Sequence, residues 1–245
     1  LSAFNKAGID IGKMVEISAA VLVILLIMLI LGGFLIRLMG LRIGTFLPSL
    51  LFPNIGNMGL PLCLFAFGET GLALGLTVFL VIFGLQMSLG IMLVAGRGNL
   101  GGLFRQPVLW ATAVAVILVS TGISLPVWLE NTTSILGGAT IPLMLVTLGV
   151  SLAQLKVAEW KHSLLFSLIR VLGGFGLAVL VAALFGLKGV DRGVLILQSS
   201  MPVAVFNYLL ALRYQREPGE VAGMVVLSTL LAFVFLPFIV SFVLA

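Results

Sequence analysis

Charged residues are scarce in this sequence. Only 9% of the 245 residues are Asp, Glu, Lys or Arg, whereas a soluble domain carries about 25%. So few charges cannot cover a surface that faces water, and a soluble globular domain is therefore excluded. The formal net charge of +5 comes from scattered Lys and Arg residues and not from a basic run, so nucleic acid is not expected as a partner.

Residues that form disulfides, bind metals or act as catalytic bases are almost absent as well. Cys63 is the only cysteine and His162 the only histidine, which excludes an internal disulfide framework and argues against a Cys/His metal cluster. The sequence contains no GxSxG or HExxH motif, and His162 falls at the edge of an apolar segment, so an intramembrane protease is not expected. We expect no cofactor, and coupling of a transport cycle to H+ or Na+ is left open.

Apolar residues, in contrast, make up 61% of the chain, and the mean hydropathy is +1.32. A bilayer core about 30 Å thick needs roughly 20 mostly apolar residues per helix. Eight candidate spans run over Met14–Ile36, Phe46–Phe67, Gly71–Ala95, Val108–Thr121, Asn131–Leu155, Ser163–Leu187, Gly193–Leu212 and Val221–Leu244. The sequence therefore predicts an all-α integral membrane protein that crosses the lipid bilayer several times.

The loops between these spans differ in positive charge. Alternate loops form one set with eight Lys and Arg residues and another set with four. Because cytoplasmic loops keep the excess of positive charge, the richer set, which includes residues 97–106 and Arg213, is predicted to be cytoplasmic.

An internal repeat is visible at an offset of 149 residues, which maps Gly44 and Pro53 onto Gly193 and Pro202. In both places a span ends, a short turn with Gly follows (MGLRIG and KGVDRG), and a span with a central Pro begins. Such weak symmetry is typical of inverted-repeat transporters. The alternative is that short loops between membrane helices simply favour Gly.

The repeat predicts how the chain is organised. Residues 1–96 would hold three spans of a partial first repeat, 97–106 the cytoplasmic connection, and 107–245 a complete second repeat of five spans. Five is an odd number, so the two repeats would be inverted relative to each other. We expect the first two helices of the first repeat to be missing from this chain and to precede Leu1.

Two spans carry Pro and polar residues at matched places, in LFPNIGNMGLPL and LQSSMPVAVFNYLL. A Pro removes a backbone donor and breaks the helix, and unwound backbone at membrane depth is tolerated only where it is buried in protein or lines a wet cavity. The half-helix N-termini carry partial positive charge that suits an anion. The alternative is a pair of simple kinks with Asn side chains joining helices. The predicted substrate-binding residues of these spans are Pro53, Asn54, Asn57, Pro61, Ser199, Pro202 and Asn207.

Three further residues stand out within spans. Pro142 is equally consistent with a kink and with a cavity wall. Arg170 lies deep in the sixth span, where a charge indicates function by default, although its long side chain could instead reach the interface. Both are included among the predicted substrate-binding residues, whereas Gln86 is interpreted as joining neighbouring helices, with lining of the cavity as the alternative.

The sequence resembles the auxin efflux carrier family, which includes bacterial malonate and malate permeases and plant auxin exporters. The resemblance rests on NIGNMGLPL from Asn54, IPLMLVTLGVSL from Ile141, SSMPVAVFNYLLALRY from Ser199 and STLLAFVFLP from Ser228. It implies a ten-helix inverted-repeat fold similar to sodium and bile acid symporters, with two broken helices crossing around the substrate.

The resemblance also assigns residues and a function. It adds Ala204 to the predicted crossing and implies a secondary transporter of a small organic anion, a mono- or dicarboxylate, that works by alternating access. The short central connection resembles prokaryotic members, so the bacterial inner membrane, a plasma membrane, is the expected location and a homodimer an expected assembly. The alternative function is a channel or a structural scaffold without saturable transport.

Overall fold

The computed structural model describes residues 11–96, 125–155 and 160–244, together with a few isolated positions between 110 and 121. Within these residues the secondary structure is helical apart from one isolated antiparallel bridge. The helices are α1 Ile11–Leu38, α2 Ile43–Leu51, α3 Leu60–Leu85, α4 Ile91–Ala95, α5 Val127–Gln154, α6 Lys161–Leu168, α7 Gly174–Leu184, α8 Gly189–Ser199, α9 Val205–Arg213 and α10 Pro218–Leu244. Three π-helical turns, Ile55–Gly59, Gln86–Gly90 and Ile169–Gly173, join some of these helices end to end.

Five stretches of the described residues are long and apolar enough to cross a bilayer: Gly12–Leu38, Ile55–Ala95, Val127–Gln154, Lys161–Leu184 and Pro218–Leu244. The predicted all-α membrane architecture is therefore confirmed. The first, fifth, sixth and eighth predicted spans each fall on one of these stretches. The fourth predicted span, Val108–Thr121, lies mostly outside the described residues, as does the 97–106 connection.

The stretch Ile55–Ala95 is a helical hairpin and not one long helix. Gly68 has a φ of +64° and a ψ of −153°, a conformation that Gly adopts without the steric cost of a Cβ. A Cβ built on Gly75 would lie 3.2 Å from the Sγ of Cys63, yet twelve residues of straight helix would separate them by about 18 Å. The chain thus reverses at Gly68, which agrees with the predicted boundary between the second and third spans.

The centre of the bundle is α8, whose residues from Gly193 to Ser199 are all buried. It packs against α3, α7 and α10. The outer helices carry large apolar side chains on their outward faces, among them Leu38 of α1 at 73% exposed and Phe238 of α10 at 71%. An apolar exterior of this kind fits hydrocarbon and not water.

Candidate functional site

The first broken helix consists of α2, a short extended segment and the turn Ile55–Gly59. α2 ends at Leu51 because Pro53 cannot donate to the helix and because the residue before a Pro is driven out of the helical conformation. Phe52 accordingly has a φ of −108° and a ψ of 99°. Pro61 lies near the start of α3, directly after the turn Ile55–Gly59, so it gives no backbone donor to the carbonyls of that turn.

The second broken helix consists of α8, the segment 200–204 and α9. Its break has the same cause, since Pro202 follows the last turn of α8. Ala204 is extended, with a φ of −65° and a ψ of 134°, and α9 begins at the next residue.

The two breaks pair with each other through their backbones. Pro53 and Val203 form an antiparallel bridge, in which the Asn54 N–H donates to the Pro202 carbonyl at 2.7 Å and the Ala204 N–H donates to the Phe52 carbonyl at 3.1 Å. We call residues 52–54 and 202–204 the crossing. The structure therefore brings together four of the predicted site residues.

Asn207 lies at the crossing with its side chain fully engaged. Its Nδ2 donates to the carbonyls of Pro48, at 3.2 Å, and Phe52, at 3.0 Å, while its Oδ1 accepts from the Nε2 of Gln86 at 2.8 Å. The side chain is 2% exposed. In this conformation Asn207 therefore gives a second donor to two carbonyls that already accept from backbone N–H groups, Pro48 from Phe52 and Phe52 from Ala204, and its predicted contact with a substrate stays a prediction.

Gln86 belongs to this network and joins two helices through its side chain, which agrees with its interpretation as an interhelical contact. It begins the π-helical turn Gln86–Gly90 and is 5% exposed. Turns of this kind are frequent at functional sites. The signal in the sequence was an amide in the middle of an apolar span, but its partner, 121 residues away, was not predictable from spacing.

Arg170 is buried behind the crossing and is only 2% exposed. Its Nη1 donates to the carbonyl of Leu50 at 2.5 Å and its Nη2 donates to the carbonyl of Ser199. The alternative that this side chain reaches the interface is therefore wrong. Arg170 instead contacts the last turns of both α2 and α8.

Asn54 and Asn57 differ in their surroundings. Asn54 is 4% exposed, and its side-chain nitrogen has no hydrogen-bond partner among the described residues. Its backbone carbonyl accepts from the N–H groups of Met58, at 3.3 Å, and Gly59, at 3.2 Å. Asn57 is partly exposed. The crossing thus offers one buried, unused amide donor at the start of the turn Ile55–Gly59.

Pro142 lies away from the crossing. α5 continues through it without a break, and Pro142 lines a cleft of about 660 Å³ between α3 and α5, together with Glu69, Thr133 and Thr140. α5 also packs against the turn Ile55–Gly59. Pro142 thus lines a cavity, and its contact with a substrate stays a prediction.

Comparison with known proteins identifies the family. A profile of the family described as "Membrane transport protein" matches residues 99–240, which is more than half of the chain. The chain belongs to this family, that of the auxin efflux carriers. The resemblance noted in the sequence is thereby confirmed, and the protein is a multi-pass membrane protein of a transporter family.

Two relatives from archaea match as well. An uncharacterized transporter of Methanocaldococcus jannaschii is 28% identical over 213 residues, which are 82% of this chain and 68% of the relative. An uncharacterized transporter of Methanothermobacter thermautotrophicus is 28% identical over 194 residues, 75% of this chain and 63% of the relative. The chain thus spans about two thirds of the length of these relatives.

Proposed function

We propose that this protein is a secondary transporter of a small organic anion, a mono- or dicarboxylate, and that the anion binds at the crossing. The observation that carries the proposal is the backbone pairing of residues 52–54 with 202–204 in the buried centre of a helical membrane protein. Irregular backbone within a membrane leaves N–H and C=O groups without helical partners, which costs free energy and is tolerated only where the backbone is buried in protein or lines a cavity. Interrupted helices of this kind form the substrate site in many transporters.

The charges at the crossing suit an anion. The turn Ile55–Gly59 with α3, and α9 from Val205, both begin there. Each helix N-terminus carries a partial charge of about +0.5 and presents free N–H groups. The unpartnered Nδ2 of Asn54 adds a donor of the kind that a carboxylate accepts.

The inverted repeat predicted from the sequence is consistent with alternating access as the mechanism. The offset of 149 residues maps Pro53 onto Pro202, and these two prolines lie in the segments that pair. Two inverted repeats that meet at a central site can rock against each other and open the site to either side. The crossing would then be the fixed point of that motion. Coupling to H+ or Na+, a homodimer and a plasma-membrane location stay predictions.

Binding and transport are tested in two steps. The purified protein is first screened with mono- and dicarboxylates by thermal unfolding, because a ligand that binds the native state raises its apparent stability. The carboxylates that stabilise the protein are then offered, in radiolabelled form, to proteoliposomes. We expect uptake that saturates with concentration, whereas flux that rises linearly would indicate a channel, and neither stabilisation nor flux would indicate a scaffold.

A further inference from the structure

Arg170 is the only charged residue that is buried in the described part of the chain. The ion pairs found there join Lys13 to Asp191 and Arg42 to Glu217, and no described carboxylate pairs with Arg170. A buried charge without a counter-ion is costly. The groups that Arg170 does contact must therefore compensate its charge.

Those groups are the ends of two helices. Arg170 binds the carbonyl of Leu50, one residue before the end of α2, and the carbonyl of Ser199, the last residue of α8. A helix C-terminus carries a partial charge of about −0.5. Two such ends partly compensate the positive charge of the guanidinium group, whose Nε has no hydrogen-bond partner among the described residues.

A glycine makes room for this contact. A Cβ built on Gly174, one turn after Arg170, would collide with the carbonyl oxygen of Ser199 and with the Nη2 of Arg170. α7 therefore approaches the end of α8 closely only because residue 174 has no side chain. Gly176, two residues further along α7, has open space in the same position, so the requirement is specific to the guanidinium site.

We propose that Arg170 is a positioning residue that holds the C-terminal ends of α2 and α8 together at the crossing and supplies the positive charge that a bound metal cation would otherwise provide there. The consequence for transport rests on the proposed function: the crossing needs no Na+ at this point in the cycle. We call the contacts of Arg170 with the carbonyls of Leu50 and Ser199 the clamp. The clamp is a property of the protein without substrate and is testable in that state.

The test compares Arg170→Lys, Arg170→Met and Arg170→Ala, purified in detergent without any carboxylate. Met retains most of the volume but no charge, so the clamp predicts that Arg170→Met unfolds roughly 5 to 15 °C below the wild type and that Arg170→Lys lies between them. A few millimolar guanidinium chloride should raise the unfolding temperature of Arg170→Ala, and choline chloride should not. A role in filling space predicts the reverse order, with Met close to the wild type and no effect of guanidinium.

The yield of monodisperse protein serves as a second readout if the Ala and Met variants fold poorly. Guanidinium present during solubilisation should then recover Arg170→Ala, and Arg170→Lys should be recovered without it. If neither Arg170→Ala with guanidinium nor Arg170→Lys is recovered, while Arg170→Met is recovered, the proposed role of Arg170 is overturned. A saturable rise in the unfolding temperature of the wild type with Na+, and not with K+, would contradict the absence of a metal cation. None of these readouts depends on transport, so the clamp and the proposed function fail separately.

Discussion

The side-chain amide of Gln86 donates a hydrogen bond of 2.8 Å to the amide oxygen of Asn207, and both residues are buried. This bond connects the hairpin Ile55–Ala95 with the second broken helix. Through the Nδ2 of Asn207 it extends to the carbonyls of Pro48 and Phe52. One short network thus joins three parts of the chain at the crossing.

The network predicts that substitutions of Gln86 and Asn207 have coupled effects on the free energy of unfolding. Asn207→Leu removes the second of two donors from the carbonyls of Pro48 and Phe52 and leaves the amide of Gln86 without its acceptor. It should lower the free energy of unfolding by about 1 to 3 kcal/mol, the cost of an unsatisfied buried polar group. Gln86→Leu removes one bond and should cost less. In the double variant the losses should fall short of the sum by about 0.5 to 3 kcal/mol. Additive losses in detergent unfolding would show that the two amides act independently.

For Asn54 we expect a substitution to weaken ligand binding without lowering stability. Its side-chain nitrogen is buried and has no partner among the described residues. Because an unsatisfied buried donor destabilises the folded state, Asn54→Leu should leave the unfolding free energy unchanged or raise it. If the amide binds a carboxylate, losing that hydrogen bond costs about 1.5 to 3 kcal/mol and lowers affinity roughly 10- to 150-fold. Titration of the variant with the best ligand from the thermal screen measures this. Unchanged affinity in a well-folded variant would remove Asn54 from the site.

Gly174 and Gly176 form a matched pair on α7. Gly174→Ala forces the added Cβ against the Ser199 carbonyl and the Arg170 guanidinium, and overpacking of this kind costs about 1 to 3 kcal/mol. Gly176→Ala meets open space and should be neutral or stabilising by up to about 1 kcal/mol, because Ala favours a helix over Gly. Equal unfolding temperatures for the two variants would contradict the close approach of α7 and α8.

The orientation in the membrane follows from the loop charges. In a Cys63→Ala background, which removes the buried native thiol, cysteines at the exposed positions Gln215 and Lys188 should react from opposite sides. Position 215 lies in the loop set that is rich in Lys and Arg and should react only from the cytoplasm. Labelling of position 215 in intact cells by a reagent that cannot cross the membrane would show that the protein has the opposite orientation.

The sequence predicted the spans and both breaks because these depend on local features. Hydropathy indicates where a span runs, and Pro53 and Pro202 mark the two breaks together with the polar residues around them, whereas α5 continues through Pro142. It did not predict what the freed backbone groups would bind. The contact between Arg170 and Leu50 joins residues 120 apart, and that between Asn207 and Phe52 joins residues 155 apart, and such separations carry no periodic signal. For the same reason the sequence does not identify Asn207 as the partner of Gln86, and it leaves two roles open for Arg170.

The measurement that tests the account most directly is counterflow in proteoliposomes. Vesicles loaded with an unlabelled carboxylate from the thermal screen are diluted into a trace of the same compound in labelled form, with no ion gradient. A carrier whose single site is open to one side at a time exchanges the two, so we predict a transient accumulation of label that the wild type shows and Asn54→Leu loses in large part. Simple equilibration without accumulation by the wild type, or full accumulation by Asn54→Leu, would contradict alternating access at the crossing.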